Sequence, residues 1–403
     1  MFSGFSASLF RVKGSAREHK VDFVELFFDL VFVYAITQTT HLLIASPGLA
    51  GVYRFFLILL SVWWVWVFTA WVTNWLDPQK VPVKLLLFAL MFAGMLMAIA
   101  IPHAFDQAAW LFAASYLFMQ LGRTLFMCLA SRRERPAVHG TFVRMALWFG
   151  LSAALWIGGA AADGSARLLW WSAAVLVEYT SAMVSFHIPL LERFTGLVPS
   201  RSGDWDISGE HMAERCGLLV IIALGESLLV SGSTFAGLDW SPATVKAFVS
   251  AFVATVAMWW IYFNLAVEHA NEEIAAAENT GAVGRLVYTY VHLLIIAGIV
   301  VVAAADEFVL AHPSGHTPAR VVWAAIGGAV LYLGGNLLFK WLIFRSHPRS
   351  HYVGILLLLL LIPGGLFLPP LALGVLSSAI LVLVGVWETV AVTAARRSET
   401  AVR

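Results

Sequence analysis

What most constrains this chain is a succession of about twelve apolar stretches, most of about 18 or more residues, parted by short polar breaks. They lie near residues 21–45, 51–73, 83–103, 108–130, 140–162 and 167–190 and, after a polar stretch at 192–210, near 211–234, 244–266, 285–309, 319–343, 351–368 and 370–394. At a rise of about 1.5 Å per residue, such a stretch crosses a hydrocarbon core about 30 Å thick. Lipid offers the backbone no hydrogen-bond partners, so each stretch must close its own bonds as a helix. Composition agrees: the 403 residues are 60% hydrophobic and 12% charged, against about 25% charged in soluble domains. The expected fold is an all-α integral membrane protein of about twelve transmembrane helices, with no separate soluble domain. Asp22, Glu25 and Asp29 interrupt the first stretch, so it is expected to stay as a span and not to be cleaved as a signal peptide.

Basic residues test this count, because Lys and Arg are held on the cytoplasmic side. Arg11, Lys13, Arg17 and Lys20 precede span one, Lys80 and Lys84 follow span two, and Arg132, Arg133 and Arg135 follow span four. Arg193 and Arg201 follow span six, Lys340, Arg345 and Arg349 flank the end of span ten, and Arg396, Arg397 and Arg403 close the chain. The loops around Pro47, around Asp106 and from Pro363 to Pro370 are nearly free of Lys and Arg. Both termini are therefore expected in the cytoplasm. The loop between spans eight and nine departs from this pattern, with Glu268, Glu272, Glu273 and Glu278 against Arg285, but acidic residues contribute little to orientation. A net charge of +1 and the lack of a continuous basic face make nucleic acid an unexpected partner. Cys128 and Cys216 fall near span ends expected in the cytoplasm, where thiols stay reduced.

The two halves resemble each other. Trp63-Trp64-Val65-Trp66 in span two answers Trp259-Trp260-Ile261-Tyr262 in span eight, and Leu121-Gly122-Arg123-Thr124-Leu125 in span four answers Leu333-Gly334-Gly335-Asn336-Leu337 in span ten. Glu178 in span six has a looser counterpart in Glu388 in span twelve. Because six is even, such repeats run the same way through the membrane, related by a pseudo-twofold axis along its normal, and a site is expected at their interface. The expected organisation is a cytoplasmic segment 1–20, a first six-helix repeat 21–191, a cytoplasmic linker 192–210, a second, parallel repeat 211–394 and a cytoplasmic tail 395–403.

In span one, Asp22, Glu25 and Asp29 recur every three or four residues and, eight residues on, Thr37 with Thr40 or His41 continues the same polar stripe. A carboxylate at the centre of a membrane helix costs about 2.5–3.5 kcal/mol, while each Leu or Phe returns only about 0.3–0.6. Glu25 and Asp29 should therefore face the bundle interior, with Asp29 about 12 Å into the span and Asp22 at the interface. Two readings stand: an ion or proton site, or a carboxylate paired with a buried base to fix helix packing. Arg123 in span four is the expected partner, at a depth that overlaps Glu25; the alternative is an Arg reaching for the headgroups.

Span seven carries His211, Glu214, Arg215 and then Glu226 with Ser227, Ser231, Ser233 and Thr234. Arg215 and Glu226 are eleven residues apart and share a helix face. Glu226 should lie near the midplane, roughly opposite Asp29 across the pseudo-axis, while the hydroxyls read as helix-packing residues. His292, Glu178 and Glu388 are further membrane-embedded ionisable positions. His269 and Glu273, four apart, read more readily as part of a solvated acidic face than as metal ligands, so neither a metal nor a cofactor is expected. Tryptophans 63, 64, 66, 71 and 75 exceed what an interfacial belt needs. Packing accounts for most of them, with an aromatic cage as the lesser reading. His41, His187 and His351 lie near span ends without an obvious nucleophile, so an enzyme is not expected.

Two segments carry a resemblance: Val21-Asp-Phe-Val-Glu-Leu-Phe-Phe-Asp-Leu-Val-Phe-Val-Tyr-Ala-Ile-Thr-Gln38 and Glu214-Arg-Cys-Gly-Leu-Leu-Val-Ile-Ile-Ala-Leu-Gly-Glu-Ser227. Both are similar to signatures of the bacterial low-temperature-requirement A proteins, and the multi-span layout matches over essentially the whole chain. That family is named for growth in the cold, so the resemblance implies no particular chemistry. The architecture also resembles the lysosomal potassium channels that lack a P-loop and line their pore with an Arg-xxx-Phe-Ser-Asp motif. Here Phe27-Phe28-Asp29 stands in the analogous place, with Phe23 where that motif has Arg, and span seven has no Phe-Ser-Asp. Potassium selectivity is therefore not implied.

The leading expectation is a channel or permease in the bacterial inner membrane for an ion or small solute. Its charged site between the repeats would use Glu25, Asp29, Arg123, Glu214 and Glu226, with Glu178, His292 and Glu388 secondary. Membrane lipids, the solute and further copies of the chain are the expected partners. The alternative is a non-transporting protein of cold adaptation or lipid interaction whose buried charges only specify packing.

Overall fold

The computed structural model describes residues 8–12, 20–46, 48–188, 208–264, 284 and 286–402, with side chains to residue 394. Twelve α-helices account for most of these residues: α1 (Phe23–Ala45), α2 (Leu49–Trp75), α3 (Val81–Ala100), α4 (Ala109–Glu134), α5 (Pro136–Ala161), α6 (Gly164–Met183), α7 (Gly209–Ala236), α8 (Pro242–Phe263), α9 (His292–Ala311), α10 (Ala319–Phe344), α11 (Arg349–Gly365) and α12 (Pro370–Val402). A π-helical turn, Val287–Val291, leads into α9. Among the described residues, a single antiparallel bridge, Phe10 with Leu76, is the one extended pairing.

Helix starts follow local chemistry. Asp22 caps α1: its Oδ1 accepts from the Val24 amide at 3.1 Å, while Glu25 Oε2 accepts from the Asp22 amide at 2.9 Å. The cap bonds the second amide of the helix, and the acid three residues in returns the bond as in a capping box. Pro136, Pro242 and Pro370 each open a helix, where the missing N–H costs nothing. Because α5 starts at Pro136, the basic loop expected after span four shrinks to Arg135, and Arg132 and Arg133 lie in the last turn of α4. Span six ends earlier than expected, at Met183, where Ser185 and Phe186 take positive φ of 53° and 57°.

Ten of the helices are long and apolar enough to cross a membrane. The exceptions are α6, which carries Arg167 and Glu178, and α11, with 17 residues and Pro363 inside it. Leu85, Phe88, Phe92, Met95 and Ile99 on α3 form an exposed apolar stripe at helical spacing. Water would penalise such a surface and lipid does not. The chain is a multi-pass membrane protein.

The chain divides into two compact units, Met1–Leu42 with Val52–Arg215, and Leu43–Gly51 with Cys216–Arg403. Residues 192–207 of the expected linker, with Arg193 and Arg201, lie outside the described residues, as do Lys13, Arg17, Pro47, Arg285 and the run from Glu268 to Glu278 with His269. The side chains of Arg396, Arg397 and Arg403 do too. In the first unit α2 is the hub: Tyr179 of α6 donates to the Leu60 carbonyl at 3.0 Å, Trp64 stacks on Tyr179 at 4.1 Å, and Phe68 and Trp75 meet Phe149 and Phe142 of α5. All five clustered tryptophans of α2 are buried in this packing.

In the second unit α9 and α10 cross where glycines let backbone meet backbone. A Cβ built on Gly298 would stand 2.5 Å from the Tyr332 amide nitrogen, and one on Gly328 would stand 2.8 Å from that of Val302. Gly327, one residue away on α10, faces open space. Gly298→Ala is therefore expected to destabilise by about 1–3 kcal/mol, read as a lower melting temperature in detergent, whereas Gly327→Ala leaves it unchanged or slightly raised.

Candidate functional site

The densest polar cluster grows from the first turns of α1 and α7. Glu25 and Asp29 are four residues apart on one face of α1, and His211 and Arg215 are four apart on α7; all four are wholly buried. Arg215 bridges the two acids, donating from one terminal nitrogen to Glu25 Oε1 at 2.9 Å and from the other to Asp29 Oδ1 at 2.5 Å. Arg11 donates to Glu25 Oε2 at 2.9 Å and is itself fixed by the Thr73 carbonyl. His211 Nδ1 lies 3.3 Å from the Asn74 amide nitrogen and Nε2 lies 3.0 Å from Glu25 Oε1. The Asn74 amide nitrogen can only donate to Nδ1, whereas Nε2 stands between an acceptor, Glu25, and a donor, the Arg11 guanidinium at 3.1 Å. Trp66 donates to Asp29 Oδ1 at 2.8 Å, and the Arg215 guanidinium lies over its ring at 5.8 Å.

Two carboxylates thus face two guanidiniums, the balance that burial in lipid demands. Two atoms escape it. Asp29 Oδ2 and Arg215 Nε are buried without a hydrogen-bond partner among the described residues.

Arg123 is not the partner expected for Glu25 and Asp29. It is wholly buried on α4, donates to the Val65 carbonyl at 3.0 Å and Thr69 Oγ1 at 2.9 Å, and also binds the Gln120 side-chain oxygen. The physical reason is α2, which presents Trp66 to Asp29 but the Val65 carbonyl and Thr69 hydroxyl to Arg123. Gln120 passes the interaction on, donating at 3.2 Å to Glu178 Oε2. Glu178 also accepts from Ser152 at 2.7 Å, from Trp156 at 3.1 Å and from the Tyr116 hydroxyl. It is a buried carboxylate held by neutral donors from α4 and α5.

The remaining expected residues are scattered. Glu214 is exposed, and its Oε2 accepts from the Val21 amide at 3.1 Å, ahead of α1. Glu226 is 5% exposed on α7, in the second unit, beside Ser227, whose hydroxyl meets Thr255 at 3.4 Å. His292 Nδ1 lies 3.0 Å from the Val287 carbonyl, and Nε2 lies 3.0 Å from the Tyr262 hydroxyl, an arrangement that satisfies a neutral imidazole. Glu388 accepts from Lys340 at 2.6 and 2.7 Å, while Lys340 also reaches the Ile261 carbonyl at 3.3 Å and lies 3.4 Å from His351 Nε2. Ser350 Oγ is 3.3 Å from His351 Nδ1, with both residues buried.

Arg215, His211 and Arg11 are functional candidates that the sequence reading did not assign to the acids. A signal for Arg215 existed: it lies six residues beyond the first residue of α7, as Asp29 does in α1. Equal depth on spans expected to run the same way, together with matching i,i+4 pairs, puts Arg215 among the cations at a suitable depth, and the fold selects it. Asp306 on α9 was also passed over; its Oδ2 is buried without a partner among the described residues.

The family model described as bacterial low temperature requirement A protein matches residues 20–386. Over 390 residues, 96% of this chain and 93% of the relative, the sequence is 39% identical to the uncharacterized protein RA0937 of Rhizobium meliloti (strain 1021). No solved structure matches.

Proposed function

Because the chain belongs to the bacterial low temperature requirement A family, we propose that this multi-pass membrane protein is a channel or permease for an ion or small solute, with Asp29 and the groups around it as its charged site. The observation that carries this reading is the asymmetry at Asp29, where Oδ1 takes donors from Arg215 and Trp66 while Oδ2 has none among the described residues. A buried carboxylate oxygen left open is a place for a proton or a cation, since an unfilled acceptor away from water is costly. Charge arriving there weakens the hold of Asp29 on Arg215, so occupancy and the position of that guanidinium are coupled. Glu226 is kept as a second candidate, and Glu178 as a third because its donors are all neutral.

The test is flux in liposomes of the purified chain, with protons, sodium and potassium each driven by an imposed potential. Wild type is expected to conduct at least one of them, and Asp29→Asn to lower that flux tenfold or more while the protein stays monodisperse. Equal flux in both proteins would sink the proposal. The charge balance of the cluster favours one rival, a network that only fixes packing; in that case Asp29→Asn shifts the melting temperature and leaves flux alone.

The same reading places the protein in the inner membrane with both termini in the cytoplasm. Support comes from Arg11, Lys20, Lys80, Lys84, Arg132 and Arg133, which gather at the ends of α1 to α4 expected inside. It also treats the halves as parallel repeats, supported by a buried carboxylate on the sixth helix of each set, Glu178 on α6 and Glu388 on α12. We read the protein as non-enzymatic.

A further inference from the structure

Where α3 begins and α4 ends, the first unit has a groove of about 610 Å³ that the charged cluster does not use. Lys80, Arg132 and Arg133 line it. None of the three side chains has an acceptor among the described residues, and both arginines are exposed. The one acid in the lining, Glu134, already accepts from Ser8 Oγ at 2.5 Å. With Lys80, Arg132 and Arg133 against the single carboxylate of Glu134, the groove keeps a net positive charge. Its rim is apolar, with Val81 67% exposed and Leu129 75% exposed.

We propose that this groove binds the headgroup of an anionic phospholipid. The three cations suit a phosphodiester, a headgroup carrying net negative charge is favoured over a zwitterionic one, and Val81 and Leu129 offer the acyl chains an apolar surface. The placement fits, because the ends of membrane spans are where headgroups lie, and basic pockets between helices at that level recognise them. Free phosphate would share the cations and gain nothing from the apolar rim.

The experiment titrates the purified full-length chain in neutral detergent with phosphatidylglycerol and with phosphatidylcholine, reading bound lipid by native mass spectrometry. Phosphatidylglycerol is expected to bind at least tenfold tighter. Each cation removed should weaken it about fivefold, and the triple variant Lys80→Gln, Arg132→Gln, Arg133→Gln about a hundredfold, with its lipid-free melting temperature unchanged. Arg345→Gln with Arg349→Gln, at a basic end in the other unit, should bind like wild type. Equal binding of the two lipids by wild type would overturn the proposal, as would a triple variant that keeps its preference. Millimolar inorganic phosphate that displaces the lipid completely would make the groove an anion site and overturn the lipid assignment.

Discussion

Arg215→Met is expected to destabilise the protein by about 3–5 kcal/mol, the cost of leaving a buried charge without its partner. Among the described residues Arg215 is the one side chain that bonds both Glu25 and Asp29, and with it gone Arg11 still serves Glu25 while Asp29 keeps, among those residues, only Trp66. The measurement is the denaturant midpoint and melting temperature in detergent. Arg123→Met is the comparison. Arg123 donates to a backbone carbonyl, a hydroxyl and an amide oxygen, so its loss strands neutral acceptors at about 1–3 kcal/mol. If the Arg123 variant proved the more damaging, the assignment of Arg215 to the acids would fall. Adding Asp29→Asn to Arg215→Met should recover much of the loss, because the stranded carboxylate is then neutral; a double variant no better than Arg215→Met would mean that the cost lies in packing and not in charge.

The contrast between these arginines marks how far the sequence can be read. Apolar length alone located the helices, since a backbone in lipid has few alternatives, and all twelve expected stretches overlap helices. The burial of Glu25 and Asp29 was legible as well, because a carboxylate among apolar residues must face inward. Their partner was not, because which helix stands beside α1 depends on packing and several spans offered a cation at a suitable depth. Glu178 shows a different limit. Tyr116, Gln120, Ser152 and Trp156 are ordinary residues in a span, and only the fold turns them into a set of donors around one carboxylate. Lys340 read as a marker of loop charge, but α10 continues to Phe344 and carries it into the protein, where it is 3% exposed.

That burial makes Lys340→Met the second large effect, expected at about 3–5 kcal/mol. Lys340 donates to both oxygens of Glu388, and no other salt bridge to Glu388 occurs among the described residues. Losing the ammonium therefore leaves a carboxylate on α12 that is 6% exposed and facing the Lys340 site on α10. The reverse step separates charge from packing. Lys340→Met combined with Glu388→Leu removes both charges at similar volume, and a buried pair replaced in this way is often neutral or stabilising by about 1–4 kcal/mol. The double variant should thus melt at or above the wild-type temperature while the single variant melts far below it. If the double variant stays as unstable as Lys340→Met, the pair is not an isolated ion pair: its hydrogen bonds to the Ile261 carbonyl and contact with His351 hold α8, α10 and α11 together in a way that apolar side chains cannot replace.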